Sequence, residues 1–161
     1  MEYWDAYDKD LNKIDGITLV RGEPIPENVY HLVCETVVKH VDGTYLLMQR
    51  DFNKHLGGLW ELTAGGSALS GESPLECAVR ELMEETGIKA ESLTKLGTVY
   101  NDKRRTVYCE YLCITDSRKT EVKLQKGETI NYKWVTAEYL KALSNSELAC
   151  QRARDLILKN G

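Results

Sequence analysis

Glu81, Glu84 and Glu85 are the clearest chemical signal in the chain, because they lie within one turn or so of a stretch that reads as helix. Glu81 reaches Glu84 at i,i+3 and Glu85 at i,i+4, so the three carboxylates share an arc of about 100°, with Cys77 among them and Arg80 at its edge. Like charges at that spacing cost roughly 0.2–0.5 kcal/mol per pair in an isolated helix. A cation bound by their oxygens reverses the sign. An all-carboxylate donor set suits a hard cation, Mg²⁺ or Mn²⁺, and not a soft metal. The alternative is an acidic face that merely meets solvent.

The elements that must position these acids are legible at both ends. Ser73 is an N-cap, Pro74 the first helical residue and Glu76 the partner in a capping box. Gly87 closes the helix, where the residue just past the end often adopts positive φ. Leu75, Ala78, Val79, Leu82 and Met83 form the face expected to enter the core. Upstream, Trp60-Glu61-Leu62-Thr63 reads as a short strand feeding a glycine-rich loop from Gly65 to Gly71. That order lets backbone carbonyls and helical carboxylates meet at one place.

Taken together, Gly66, Glu72, Arg80, Glu81, Leu82, Glu84, Glu85, Gly87 and Ile88 stand at the spacing Gly-x5-Glu-x7-Arg-Glu-Leu-x-Glu-Glu-x-Gly-Ile. This resembles the Nudix box, without a departure, over residues 66–88. The resemblance implies an α+β fold, an α/β/α sandwich around a mixed sheet. It implies Mg²⁺-dependent hydrolysis of a diphosphate bond in a nucleoside diphosphate linked to another group. It assigns Glu81, Glu84 and Glu85 to the metal, with a carbonyl of Gly65 or Gly66 completing the shell. Arg80 would orient the glutamates through an ion pair, and Glu72 would support the loop or bind metal through water. The proton acceptor would be Glu81, through a metal-bound water, or Glu128, an acid about forty positions past the box on a loop before a strand bearing Trp134.

Around this centre the chain reads as one domain over 1–161, with a hairpin and connector over 1–28. Residues 2–20 suggest two short strands about a polar turn, and Pro24 and Pro26 mark the connector. Tyr30 to His40 is the strongest strand signal, turning tightly at Asp42-Gly43 into Tyr45–Gln49. His31, Val33, Glu35 and Val37 share a face, so Glu35 either lines a substrate pocket or sits on a half-exposed strand. Leu93–Asn101 and Thr106–Thr115 read as strands joined at Asp102-Lys103-Arg104-Arg105, a basic tip open to solvent or, through Arg104, to a phosphate. Asn131–Val135 is the last strand. Thr136 caps a short helix to about Leu143, and a second helix is expected from about Ser146 to Lys159. Tyr100, Tyr108, Tyr132 and Trp134 alternate in strands, either as core or as rings for a base, Tyr132 being the substrate candidate.

Composition excludes several classes. The chain has 161 residues, 42% hydrophobic and 29% charged, with a net charge of -4. That balance gives no general affinity for DNA duplex or acidic membranes, while a bound cation still admits a small nucleotide. No apolar run approaches the ~20 residues of a membrane span, and the N-terminus does not read as a signal peptide. The five cysteines include no C-x-x-C pair, which suggests reduced thiols and a cytoplasmic setting. A monomer and a homodimer are both compatible with the sequence.

Outside the box, the N-terminal hairpin, Tyr30-His31-Leu32, Leu46-Leu47-Met48-Gln49-Arg50 and Leu59-Trp60-Glu61-Leu62-Thr63 resemble Nudix proteins related to type I isopentenyl diphosphate isomerase. That enzyme needs a cysteine, with a metal-binding histidine just after it, in the segment following the tryptophan. Here Thr63-Ala64-Gly65-Gly66-Ser67 has neither, which disfavours isomerase chemistry. Coenzyme A members carry a Leu-Leu-Thr-x-Arg motif, which Leu46–Arg50 echoes loosely and which makes Arg50 a substrate-contact candidate. ADP-ribose members often have a proline about fifteen residues past the box, and no proline follows Pro74. A nucleotide-binding protein without catalysis would be expected to have lost a box carboxylate, and none is lost.

Overall fold

The computed structural model describes residues 1–160. Its centre is β3 (His31–His40), which runs parallel to β8 (Thr106–Thr115) along its whole length. On its other side β3 pairs antiparallel with β6 (Thr63–Ser67) and, at its end, with β4 (Tyr45–Arg50). β4 carries β5 (Trp60–Glu61) and β9 (Thr129–Val135), and β7 (Thr94–Asn101) pairs β8. The result is the expected mixed sheet, of seven strands.

Strand alternation assigns the two faces. Leu46 and Met48 of β4 pack with Leu82 of α1 (Pro74–Thr86), while Tyr45 and Leu47 pack with Leu140 and Ile157 of α2 (Ala137–Ala142) and α3 (Arg152–Asn160). Helices on both faces make the α/β/α sandwich. No helix among the described residues is long and apolar enough to cross a membrane.

The N-terminal hairpin is present as β1 (Tyr3–Tyr7) and β2 (Lys13–Val20), a separate two-stranded sheet with its own cluster of Trp4, Ala6, Leu19 and Val29. It is fastened to the body at several points. Tyr7 and Tyr30 exchange backbone hydrogen bonds of 2.9 Å, and Trp4 stacks on His31 at 4.2 Å. Asp5 accepts from the Ser70 hydroxyl at 3.0 Å and the Gly71 N–H at 2.8 Å, which ties the hairpin to the segment leading into α1.

Three local expectations are corrected. The expected glycine loop begins as strand: Thr63 to Ser67 pair with Val33 to Val37 as β6, and only residues 68–73 form the loop. The C-terminal helix starts at Arg152, not near Ser146. Ser144 caps a single 3₁₀ turn at Asn145–Glu147, and the Ala149 N–H donates to the Trp60 carbonyl at 2.9 Å, which holds the chain extended until the helix can begin. On α1, Leu75, Val79 and Met83 are 51%, 38% and 43% exposed, and the buried residues are Cys77, Ala78, Leu82 and Thr86. The helix is rolled so that Glu81 and Glu85, and not the outer apolar positions, turn toward the sheet, while Glu84 stays exposed.

Candidate active site

Two glycines and one cap determine how close α1 comes to the sheet. Ser73 Oγ accepts from the Glu76 N–H at 3.1 Å, and the Glu76 carboxylate accepts from the Ser73 N–H at 3.4 Å, so the expected capping box is formed. At the far end Gly87 has φ +73° and donates its N–H to the Met83 carbonyl at 2.9 Å. A Cβ at Gly65 would stand 2.1 Å from the Cys34 carbonyl oxygen, and one at Gly66 would stand 2.5 Å from Glu81 Oε1. Glycine in β6 is therefore what lets the helical carboxylates lie directly against strand backbone.

The consequence is a cavity of about 330 Å³ that brings together Gly66, Arg80, Glu81, Glu84, Glu85 and Glu128. Arg80 organises the acids around it. Its Nη1 donates to Glu81 Oε1 at 2.9 Å and to Glu84 Oε2 at 3.3 Å, while Nε and Nη2 hold the two oxygens of Glu72 at 2.6 and 3.0 Å. Glu72 also accepts from the Leu69 N–H at 2.9 Å, which ties its carboxylate to the loop as well as to Arg80. Arg80 holds the Glu72 pKa below its ordinary value, and Glu72 in turn is the main reason the guanidinium holds its proton more firmly than usual.

Glu85 is different. It accepts the Gly65 N–H at 3.1 Å, and the charges of Glu61 and Glu81 act on it more strongly than that of Lys54. Burial, then the charges of those two glutamates, push its pKa up to about 8. Burial also raises Glu81, against the pull of Arg80. Glu128, on the turn before β9, lines the same cavity and pairs with Lys54. Among the described residues no three such side chains already converge as a cation site, and Arg80 pairs with both Glu81 and Glu84.

A second hollow of about 380 Å³ gathers Glu35, Arg50 and Arg104, three of the residues expected to touch substrate. Arg50 pairs with Glu61. Arg152 of α3 donates to Glu35 at 2.7 Å and to Glu110 at 2.6 Å, and its guanidinium lies 3.7 Å over the Tyr108 ring. Glu110 is fully buried, with one oxygen unpartnered. The hollows are neighbours, because Glu61 lines this one and helps to lift Glu85 in the other. Tyr132 reaches neither. Its register opposite Met48 turns it onto the α1 side, where it packs against the cluster containing Leu46, Met48 and Leu82.

Comparison with known proteins bears on this geometry. The NUDIX domain model matches residues 30–156. The chain belongs to the Nudix family. An uncharacterised Nudix hydrolase of Listeria monocytogenes is 34% identical over 149 residues, covering 91% of this chain and 86% of its own. An 8-oxo-dGTP diphosphatase of Proteus vulgaris is 35% identical over 97 residues, 60% of this chain and 80% of that protein. A crystal structure from Deinococcus radiodurans, 17% identical, is similar in fold over 98% of both chains with a TM-score of 0.76. The chain is thus a Nudix hydrolase, an enzyme of a family that cleaves pyrophosphate bonds with divalent metal ions.

Several polar residues at this Nudix site escape a reading of the box alone: Lys54, Glu61 and Arg152, the hairpin pair Glu2 and Arg21, and Glu110, which lies behind the second hollow and holds Arg152. Glu110 did carry a signal. It is a lone charge inside the apolar run Val107 to Leu112, and a buried carboxyl there requires a partner. Arg152, 42 residues further on, supplies it.

Proposed function

We propose that this Nudix hydrolase cleaves the diphosphate bond of a nucleoside diphosphate linked to another group, using Mg²⁺ or Mn²⁺ held by Glu81, Glu84 and Glu85 with the carbonyl of Gly66. The observation that carries the proposal is the meeting of the box carboxylates and Glu128 on one cavity. The donor set fits such an ion. It is all oxygen, it includes a buried acid facing other acids, and the missing Cβ of Gly66 leaves Glu81 against the strand backbone.

A divalent cation, when bound, neutralises diphosphate oxygens and lowers the pKa of a water. The protein supplies the rest. Glu85 provides a buried carboxyl whose ionised form burial and two acidic neighbours disfavour until a cation is there. Arg80 keeps Glu81 and Glu84 oriented and spaced, and Glu72 holds Arg80. Glu128 accepts the proton of the attacking water, and Lys54 fixes its carboxylate until then. Glu35, Arg50 and Arg104 receive the linked group in the adjoining hollow. The Proteus vulgaris relative supports nucleoside triphosphates as the first compounds to try. The five free cysteines support a cytoplasmic setting, and residues 1–161 are read as a single domain. The likeness to isomerase-related Nudix proteins is read as ancestry, supported by the N-terminal hairpin, and isopentenyl diphosphate is expected to stay unchanged.

The test is phosphate or pyrophosphate release from a panel of nucleoside di- and triphosphates, dinucleoside polyphosphates and nucleotide sugars, with Mg²⁺ or Mn²⁺. Glu85→Gln is expected to lower turnover at least about a hundredfold while the fold is retained. Wild-type turnover in that variant overturns the metal assignment.

A further inference from the structure

The N-terminal hairpin lies outside residues 30–156, the part that matches the NUDIX model, yet it contributes a wall of the catalytic cavity. Glu2 at the edge of β1 and Arg21 just past β2 both line that cavity, facing Glu81, Glu84 and Glu85 of α1. Their position is well fixed. The Arg21 N–H donates to the Glu2 carbonyl at 3.0 Å, Trp4 Nε1 donates to Glu2 Oε1 at 2.7 Å, and Asp5 anchors the hairpin at Ser70 and Gly71.

The cations on the cavity wall are Arg21, Lys54 and Arg80. Arg80 is engaged by three glutamates and Lys54 by Glu128. Arg21 has a single partner, Glu2 Oε2 at 3.2 Å, and its side chain is 67% exposed. An exposed pair of that kind is weak and readily exchanged. A guanidinium is also the side chain best matched to a phosphate, which it grips through two parallel N–H groups.

We infer that Arg21 is a substrate-binding residue that grips the terminal phosphate of a nucleoside polyphosphate, so that the hairpin selects for substrates bearing a free phosphate at the end away from the nucleoside. Glu2 pairs with the guanidinium when no phosphate is there, and so competes with that phosphate. The inference rests on the reading of the cavity as the diphosphate site.

The test exploits the two ways of breaking one ion pair. Arg21→Ala and Glu2→Gln both remove the Glu2–Arg21 bridge, but only the first removes the cation. With a nucleoside triphosphate, Arg21→Ala is expected to raise KM about tenfold with kcat changed less than about twofold, as for loss of one charge-assisted hydrogen bond. Arg21→Lys should be intermediate, and Glu2→Gln should have a KM at or below that of wild type. A nucleotide sugar, which has no free terminal phosphate, should show little difference between wild type and Arg21→Ala. Calorimetric binding of a methylene-bridged triphosphate analogue in Ca²⁺ reads the same contact without turnover, and it still reports on Arg21 if no compound in the panel is hydrolysed. Unfolding midpoints show that the hairpin stays docked. Equal weakening by Arg21→Ala and Glu2→Gln, or unchanged analogue affinity in Arg21→Ala, overturns the inference.

Discussion

Glu110→Gln is a nearly isosteric change at a fully buried carboxyl, and its effect can be worked out from the surroundings. Burial, and then the charge of Glu35 on the neighbouring strand, push the Glu110 pKa from its ordinary value of 4.5 up to about 8, while Arg152 pulls the other way. The native protein therefore keeps a proton that the unfolded chain has released. Stability from this group is fully present below about pH 4.5 and is lost progressively as the pH rises to about 8. Between pH 5 and pH 8 the loss amounts to on the order of 3 kcal/mol, at about 1.4 kcal/mol per unit. For a chain of this size that is roughly 10 °C in unfolding midpoint. A glutamine is neutral throughout and can still accept from Arg152 Nε. The variant should melt with wild type at pH 5 and well above it at pH 8, read by circular dichroism across a pH series with metal chelated. Parallel curves at every pH would refute the claim that Glu110 is held as a neutral acid beneath Arg152.

Two further outcomes follow from the same geometry. Glu128→Gln should lower kcat at least about tenfold with little change in KM, as expected for loss of a proton acceptor, and turnover within about twofold of wild type would remove it from the mechanism. Gly65→Ala should fail to yield a stable protein, because the new methyl would stand 2.1 Å from the Cys34 carbonyl and β6 would have to leave β3; a soluble variant melting within a few degrees of wild type would show that the strands part without penalty.

What was legible in the sequence is what local physics dictates. Ser73, Pro74, Glu76 and Gly87 terminate α1 by caps that need nothing beyond the neighbouring backbone, and the strands around Asp42-Gly43 follow from turn chemistry. The resemblance to the Nudix box singles out Glu81, Glu84 and Glu85 and offers the more distant Glu128 as one candidate proton acceptor, and all four line one cavity. The parts that were not legible depend on partners remote in sequence. Arg152 meets Glu35 across 117 residues, and no periodicity in either segment announces the other. Tyr132 looked available to a base because alternation alone does not say which face of a strand meets which helix. The sequence suggests helix from about Ser146 because nothing in that segment reveals that Ala149 will donate its N–H to Trp60.

The roll of α1 joins these failures to the function. The apolar positions Leu75, Val79 and Met83 would bury more hydrophobic surface if they faced the sheet, and by hydrophobicity alone they should. Instead Cys77, Ala78 and Leu82 fill the contact, and Glu81 and Glu85 are drawn in beside them. The small residues Gly65 and Gly66 on β6 are what make that roll sterically possible, since a Cβ at Gly66 would strike the Glu81 carboxylate at 2.5 Å. A helix that leaves leucine, valine and methionine in solvent while burying acids gives up folding energy, and natural proteins make that concession chiefly where a site must be built. The orientation of α1 thus fits the proposed site: the carboxyls whose burial disfavours their charge are the same ones whose oxygens the proposed cation would satisfy.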